Sequence, residues 1–255
     1  MNPRLARSIS MFTIVPVRVD VELQPGDGVG ALLWLPAVGA LVGAAAALPT
    51  AAISAWEPHA DLLGAVLAVA ALALLTRCLH LDGLADTADG LGSGAPAARA
   101  LEIMRQSDIG PFGVVVLIVV LGADVAALGC LQGGPWTPVG VLAVAAATGR
   151  VAAVHAAVRG VPSARGSGFG SIVAGGIAAE AALAAAVAVL GLGAAVAVAL
   201  SIPVGWVLVP QIVGLAAAYL FRRHAVRRLG GITGDVFGAL IETATAVTLI
   251  GVALH

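Results

Sequence analysis

The sequence predicts an all-α protein, a polytopic helical bundle that is integral to a membrane. Of its 255 residues, 60% are hydrophobic and only 11% are charged, and the mean hydropathy is +1.04. Soluble domains contain about 45 to 50% apolar residues, so the composition excludes an ordinary soluble fold. Aromatic residues make up only 4% of the chain, and we therefore expect the helices to pack closely through small side chains.

Apolar stretches long enough to cross a bilayer occur seven times along the chain. The hydrocarbon core is about 30 Å thick, which requires about 20 apolar residues in each helix. Gly191, Gly193 and Pro203 divide the long apolar run that contains the fifth and sixth stretches. The seven predicted spans are 30–52, 60–79, 112–131, 138–158, 177–199, 201–221 and 234–254.

Arginine supplies all 13 basic side chains, and their positions predict the topology. Arg150 falls inside the fourth span. The other arginines lie before span one or in and beside the loops that follow spans two, four and six. The loops around 53–59, 132–137 and 200 contain none. Since basic loops remain in the cytoplasm, we expect about seven transmembrane helices with a cytoplasmic N-terminus.

A single membrane-embedded domain over residues 1–255 is the simplest organisation, because the sequence has no long linker and no convincing inverted repeat. The longest internal connection, around residues 77–111, carries several acids and is expected in the cytoplasm. Before the first span, Leu5, Ile9, Phe12 and Ile14 predict the apolar face of a short interfacial helix that ends before Pro16.

The strongest chemical signal is the segment HLDGLADTADG, residues 80–90. It spaces Asp82, Asp86 and Asp89 at intervals of four and three, which would bring three carboxylates to one face of a helix. Like charges at this spacing repel one another, so the pattern indicates a bound cation, and Mg²⁺ prefers oxygen ligands of this kind. The alternative is a solvated acidic loop closed by its glycines, which the adjoining membrane span disfavours.

Polar residues on either side of the three aspartates are also candidate site residues. His80 can orient substrate, transfer a proton or cap the second span, and the sequence leaves these roles open. In the segment RALEIMRQSDIGPFG, Arg105 projects a polar group, and Ser107 or Asp108 can cap the next helix. A helix N-terminus favours anions, so Arg105 and Asp108 are candidate substrate-binding residues near a docked phosphate.

Two glycine-rich loops are expected on the same side of the membrane: VPSARGSGFGSI after span four and LGGITGDVFG before span seven. Glycines allow backbone N–H groups to converge on an anion, and Arg165, Ser167 and Thr233 would add side-chain donors to a phosphate. Asp235 either joins the metal cluster or caps the last helix. Neither loop matches a Walker or Rossmann pattern, and a flexible turn is the alternative for each.

Arg150 is predicted to lie inside the membrane, roughly 12 Å from the cytoplasmic end of span four. An arginine at that depth requires a partner. It either serves a phosphate in a water-filled cavity or pairs with an intramembrane acid, for which Asp124, Glu180 and Glu242 are the candidates.

Together these segments resemble the adenosylcobinamide-GDP ribazoletransferase family, the cobalamin synthases. HLDGLADTADG and LEIMRQSDIGPFG look like the family's central motif, and SARGSGFGS and LGGITGDVFGALIE resemble its two later motifs, in an order that spans nearly the whole chain. The resemblance implies transfer of the adenosylcobinamide phosphate moiety from adenosylcobinamide-GDP to α-ribazole or its 5′-phosphate, with release of GMP. It also implies Mg²⁺ held by Asp82, Asp86 and Asp89, one of which can act as a base, and phosphate clamps at Arg150 and Arg165.

Two other functional classes fit parts of the sequence. A CDP-alcohol phosphatidyltransferase also combines aspartates and glycines in its motif, but its DGxxAR element needs an arginine that is absent after DGLAD. A transporter would explain the acids within the spans. Transporters concentrate their chemistry near the bilayer midplane, whereas the acids of this chain cluster at one interface.

The family resemblance implies a bacterial plasma (inner) membrane, and we expect the active site on its cytoplasmic side. The expected partners are the lipid bilayer, adenosylcobinamide-GDP, and α-ribazole or its phosphate; no nucleic acid is expected. Small residues on the helices would also permit a homo-oligomer, or association with other cobalamin-assembly enzymes.

Overall fold

A computed structural model describes residues 1–19, 26–57 and 59–255 of the chain. Within these residues the secondary structure consists of twelve helices and two isolated β-bridges, without a β-strand, which confirms the predicted all-α class. In chain order the helices are α1 Pro3–Phe12, α2 Asp27–Ala46, α3 Leu48–Trp56, α4 Asp61–Leu75, α5 Leu79–Gly92, α6 Ala97–Ile103, α7 Pro111–Gly129, α8 Thr137–Ala156, α9 Phe169–Val173, α10 Ala179–Ala199, α11 Gly205–Leu229 and α12 Gly234–Ala253.

Six of the described helical segments are long and apolar enough to cross a membrane, which confirms a polytopic bundle. They are α2 with α3 as one segment, α7, α8, α10, α11 and α12. A seventh candidate is the pair α4 and α5, which meet at a bend of 89°. This count agrees with about seven spans, although several boundaries differ from the prediction. The cytoplasmic N-terminus stays a prediction, because it depends on the arginine positions alone.

The second predicted span, 60–79, ends earlier in the structure. α4 stops at Leu75, and Arg77 and Cys78 then adopt left-handed backbone conformations with φ of 55° and 54°. The carbonyl of Leu75 accepts a 2.8 Å hydrogen bond from the N–H of Ile14, so the N-terminal segment replaces the bond that a continuing helix would make. The chain therefore turns by 89° into α5.

The sixth span is predicted over 201–221, whereas α11 begins at Gly205 and continues to Leu229. Neither glycine nor proline occurs over 215–229 to interrupt it. The helix ends where Gly230, with φ of 83°, forms a left-handed cap. The arginines placed in a loop by the prediction therefore lie on a helical extension; they are Arg222, Arg223, Arg227 and Arg228.

α8 and α12 form the centre of the bundle. In the most apolar 18 residues of each helix, 83% of α8 and 72% of α12 is buried, against 22% of α7 and 28% of α10 and α11, so the last three form the outer surface. A Cβ atom at Gly43 of α2 would lie 2.5 Å from the carbonyl oxygen of Leu142 in α8. One at Gly149 of α8 would lie 2.5 Å from that of Ile241 in α12. The predicted close packing through small residues is therefore present.

α5 lies across one end of the bundle. Near its start, Gly83 lies against the backbone of Asp235 in the first turn of α12. Near its end, Gly92 packs against the ring of Phe112 in the first turn of α7. Because α5 lies at 89° to α4 and contacts the N-terminal ends of two spans, we assign only the α4 part of that bent pair to the membrane and place α5 outside the spans, within the acidic connection predicted around 77–111.

The helix predicted at the N-terminus is present as α1, but the inclusion of Ile14 in its apolar face is wrong, because the helix ends at Phe12 and Ile14 is exposed beyond it. α1 packs on α2, where Arg7 and Asp27 form a 2.6 Å ion pair, and it ends at the buried Phe12. The guanidinium of Arg77 donates a 2.7 Å hydrogen bond to the carbonyl of Met11. α1 is therefore tied both to α2 and to the bend that precedes α5.

Candidate functional site

A cavity of about 420 Å³ lies at the end of the bundle that α5 crosses. Its wall consists of residues from α1, α2, α5, α8 and α12 and from the two glycine-rich loops. The fold thus brings three separate segments of the sequence to one place. Six of the residues predicted from the sequence line the cavity: His80, Asp82, Arg165, Ser167, Thr233 and Asp235.

The two glycine-rich loops lie side by side. The N–H of Ala164 donates a 2.9 Å hydrogen bond to the carbonyl of Ile232, and the N–H of Ile232 donates a 2.9 Å bond to the carbonyl of Pro162. A Cβ atom at Gly231 would collide with the backbone of Ala164, so this approach requires a glycine. The pairing favours one jointly built wall over two independent flexible turns.

An ion pair joins the two loops at the cavity. Nη1 of Arg165 lies 2.9 Å from Oδ2 of Asp235, and Nη2 of Arg165 donates a 3.1 Å hydrogen bond to the carbonyl of Leu101. The hydroxyl of Thr233 donates to the same Asp235 oxygen at 3.1 Å and accepts from the N–H of Val236 at 3.2 Å. Thr233, rather than Asp235, is therefore the cap of α12.

The three motif aspartates share α5 but have different surroundings. Asp82 is exposed and lines the cavity, Asp86 is half-buried, and Asp89 is buried against α7. In the part of the chain that the structure describes, no three His, Cys, Asp or Glu side chains are arranged to hold a metal ion. A metal at these carboxylates would therefore need further ligands from substrate or water.

The pKa of the Asp86 carboxyl is raised at this end of α5. Burial raises its pKa, the charges of Asp82, Asp235 and Asp89 raise it further, and Arg165 lowers it, with a resulting pKa of about 7. Four carboxylates and one guanidinium thus interact here. A bound cation would offset the remaining negative charge.

Asp89 holds the start of α7. One carboxylate oxygen accepts a 2.7 Å hydrogen bond from the N–H of Gly110, and the other accepts a 2.9 Å bond from the N–H of Gly113. These N–H groups belong to the first turn, where a helix lacks internal acceptors. The prediction that Ser107 or Asp108 caps this helix is wrong, because a buried carboxylate from α5 supplies the cap.

Replacing Asp89 by alanine is expected to lower the free energy of unfolding by about 1 to 3 kcal/mol, because two buried N–H groups lose their acceptor. Thermal unfolding of the detergent-solubilised protein, followed without Mg²⁺, measures this effect apart from any metal binding. Asp108→Ala is the matched control, since Asp108 is exposed in the neighbouring connection. Equal melting temperatures for the two variants would contradict the capping role.

Arg150 is buried behind His80 and does not line the cavity. Its Nη2 lies 3.2 Å from Nδ1 of His80, and its Nη1 donates a 3.2 Å hydrogen bond to the carbonyl of Ala146. Oε1 of Glu242 lies 3.7 Å from the same Nδ1. Arg150 and Glu242 therefore approach the same imidazole nitrogen, so Glu242 is the nearest of the predicted acids, but it is reached through His80 and not by a direct ion pair. A direct phosphate contact by Arg150 stays a prediction.

Asp86 and Asp89 lie on α5 beside the cavity and are not among its lining residues, and the structure does not bring the remaining candidates to it. Arg105 and Asp108 are exposed in the connection between α6 and α7. Glu180 is exposed in the first turn of α10, and Asp124 is buried within α7. None of the four lines the cavity, and the substrate-binding roles of Arg105 and Asp108 stay predictions.

Sequence reasoning missed the apolar part of the cavity wall. Phe12 packs edge to face on Phe169 at 5.5 Å between ring centroids, and Phe169 packs in the same way on Phe237 at 5.7 Å. Leu32 and Leu35 of α2 complete this side. The chain contains only five phenylalanines, and three of them meet here, so their scarcity is the one signal that the sequence offered.

The chain is similar to one family of known proteins, and its curated relatives share one name. The model of the family described as cobalamin-5-phosphate synthase matches residues 4–253. Three curated proteins named adenosylcobinamide-GDP ribazoletransferase are similar over most of their length. The protein from Frankia casuarinae is 36% identical, over 97% of this chain and 93% of the relative. The one from Bradyrhizobium diazoefficiens is 38% identical, over 94% and 89%, and the one from a Nocardioides species is 35% identical, over 95% of both chains.

No solved structure matches the chain. The family match covers both ends of the bundle, the acidic helix and both glycine-rich loops, because it extends over almost every residue. The chain therefore belongs to the cobalamin-5-phosphate synthase family.

Proposed function

We propose that this protein is an adenosylcobinamide-GDP ribazoletransferase, the activity for which its relatives are named. The observation that carries the proposal is that the acidic helix and both glycine-rich loops line one cavity. That cavity offers carboxylates for a cation, and a guanidinium and hydroxyls for phosphate groups. These are the groups that phosphoryl transfer requires, because its catalysis consists mainly of positioning and charge stabilisation.

In the proposed reaction, a ribose oxygen replaces GMP on the phosphorus atom that carries cobinamide. A ribose hydroxyl oxygen of α-ribazole, or of its 5′-phosphate, forms a bond to the phosphorus that carries cobinamide. The bond from that phosphorus to the bridging oxygen breaks, and GMP leaves with the electron pair. The hydroxyl proton passes to a carboxylate or to water. The site must therefore align two oxygens about one phosphorus and offset the charge on the diphosphate.

We propose Mg²⁺ as the cation, held by Asp82 and Asp86 together with substrate oxygens. The raised pKa of Asp86 supports the fit, because burial raises it and the charges of Asp82, Asp235 and Asp89, opposed only by Arg165, raise it further. Both oxygens of Asp89, the third predicted ligand, are hydrogen-bonded to α7, so we assign Asp89 first to positioning α5. When bound, a divalent cation would neutralise negative charge on the diphosphate.

The Mg²⁺ affinity is expected to decrease as the pH is lowered from 8 to 6. Because the pKa of Asp86 is about 7, its carboxyl is mostly protonated at pH 6, and a cation must displace that proton before it binds. We expect a dissociation constant about tenfold larger at pH 6 than at pH 8. Calorimetric titration of the solubilised protein at both pH values measures it. An Asp86→Asn variant should bind more weakly with little pH dependence, and a pH-independent wild type would contradict the assignment.

The phosphate groups are expected between the two glycine-rich loops. Nε of Arg165 is buried without a hydrogen-bond partner in the described residues, while Nη1 pairs with Asp235. Ser167 is exposed at the rim, and Thr233 lies at the N-terminus of α12. Arg165 can therefore clamp a phosphate with the support of the helix N-terminus, which also favours anions.

The reaction is tested with purified, detergent-solubilised protein given adenosylcobinamide-GDP and α-ribazole. We expect GMP and a joined corrinoid product in equal amounts when Mg²⁺ is present, and neither product in EDTA. Folded protein that forms neither product with Mg²⁺ would overturn the proposal, and CDP-alcohol substrates would be tested next. Equal activity in EDTA would contradict the requirement for Mg²⁺ but not the transfer reaction itself.

We also propose that the cavity faces the cytoplasm of a bacterial inner membrane, which the distribution of arginines supports. The free, exposed Cys78 lies at the cavity end beside α5, and the free, exposed Cys130 lies at the other end of α7. An impermeant maleimide should label Cys130 in intact cells and Cys78 only in inverted vesicles, with Cys78→Ala and Cys130→Ala variants to separate the two signals. The reverse pattern would invert the topology. Self-association and contacts with other assembly enzymes stay predictions.

A further inference from the structure

His80 brings one unpaired hydrogen-bond donor to the cavity wall. It is 3% exposed and lines the cavity, and its Nδ1 lies 3.2 Å from Nη2 of Arg150. A guanidinium can only donate, and Oε1 of Glu242 lies 3.7 Å from the same nitrogen, beyond hydrogen-bonding distance, so we assign Nδ1 as the acceptor and the ring proton to Nε2. Nε2 is buried and has no hydrogen-bond partner among the described residues. A buried donor without a partner is unfavourable, so a ligand that accepts from it is favoured.

The wall around His80 is aromatic. Phe12 stacks on the imidazole with 6.3 Å between ring centroids, and Phe169 and Phe237 continue the wall. His80, Phe12 and Phe237 are buried, whereas Asp82 is exposed. The cavity therefore has an aromatic end with a single donor and a polar end formed by the exposed Asp82 and the half-buried Asp235 and Arg165.

We infer that the aromatic end is the subsite for the base of the ribazole acceptor, with Nε2–H of His80 donating to the ring nitrogen that carries no ribose. The inference rests on the proposed function. α-Ribazole is a benzimidazole riboside, whose base is a flat, apolar bicycle with one free acceptor nitrogen. One donor within an aromatic wall is complementary to it. Its ribose would then extend towards Asp82 and Arg165, where a hydroxyl must meet the phosphorus.

The other large groups of the reactants fit this end less well. Guanine and adenine carry several donors and acceptors on their edges, and a subsite with one polar group would leave most of them without partners. The cavity volume of about 420 Å³ suits a nucleoside, since pockets for drug-sized ligands measure about 300 to 1,000 Å³. The corrin ring system is much larger and would remain at the mouth.

Equilibrium binding of two ribosides, measured by calorimetry without any corrinoid, tests the subsite directly. The probes are α-ribazole and the matching indole riboside, in which a C–H replaces the free ring nitrogen. Wild-type protein is expected to bind α-ribazole about tenfold more tightly, the value of one buried neutral hydrogen bond. His80→Gln keeps an N–H donor near the position of Nε2 and should retain a preference, whereas His80→Leu should bind both ribosides equally.

His224→Leu is the matched control, because His224 is exposed on α11 and should keep the wild-type preference. Equal binding of the two ribosides by wild type, or binding of neither, would overturn the inference even if His80→Leu fails to fold. A preference that survives in folded His80→Leu would also overturn it. Product formation from adenosylcobinamide-GDP is measured separately. Transfer by a protein that binds both ribosides equally would contradict the base subsite and leave the proposed reaction standing. A preference for α-ribazole without transfer would contradict the proposed reaction and leave the subsite standing.

Discussion

Asp82→Asn is expected to lower kcat of the proposed transfer at least about 100-fold and to leave the melting temperature almost unchanged. Asp82 lines the cavity and is exposed, so asparagine keeps the shape of the side chain and disturbs little packing. The substitution removes one of the negative charges that act on Asp86. Weaker cation binding and a lower rate should follow, because the cation offsets charge that develops on the diphosphate.

The measurement is initial GMP release over a range of Mg²⁺ concentrations, with melting temperatures of the same preparations. Asp61→Asn is the matched control, because Asp61 begins α4 at the opposite end from α5 and its carboxylate accepts a 2.9 Å hydrogen bond from Ser54. That variant should retain wild-type turnover. Wild-type turnover by Asp82→Asn would exclude Asp82 from the essential cation site and direct attention to Asp86 and Asp235.

The aspartate spacing predicted more about the helix than about the role of each residue. Asp82, Asp86 and Asp89 do lie on one helix, α5, because intervals of four and three follow the helical period. The spacing carries no information on what faces each carboxylate. That is set by α7 and α12, whose contacts bury Asp89 against two N–H groups and leave Asp82 at the cavity.

Hydropathy located the spans, because a bilayer imposes a length on every apolar helix. It missed the turn after Leu75, since apolar composition does not reveal the left-handed backbone of Arg77 and Cys78. That turn depends on a hydrogen bond from Ile14, which is distant in sequence.

The aromatic end of the cavity could not be predicted for a similar reason. Phe12, Phe169 and Phe237 lie in α1, α9 and α12, and no local pattern connects them. The two glycine-rich loops were more predictable, because their composition permits close backbone approach. Their pairing through Ala164 and Ile232 still required the fold.

Arg150→Leu is expected to destabilise the protein by about 3 to 5 kcal/mol, because the buried Glu242, which approaches the same nitrogen of His80, loses the charge of the nearby guanidinium. It also removes the donor to Nδ1 of His80. In thermal unfolding this corresponds to a melting temperature lower by about 6 to 20 °C. Arg99→Leu is the matched control, since Arg99 pairs with Glu102 at 3.0 Å while both side chains are about 60% exposed, and such pairs contribute less than about 1 kcal/mol.

The double variant Arg150→Leu/Glu242→Leu separates the contribution of Arg150 to folding from its effect on His80. Removing both charges leaves no uncompensated buried ion, so most of the lost stability should return. Transfer activity should stay low, because His80 has lost the donor that keeps its proton on Nε2, and the preference for α-ribazole over the indole riboside should weaken. Full recovery of both stability and activity would show that Arg150 only compensates Glu242. An Arg150→Leu variant as stable as wild type would contradict the stabilisation of the Glu242 carboxylate by Arg150, because a buried carboxylate cannot remain charged without a nearby cation except at a large cost.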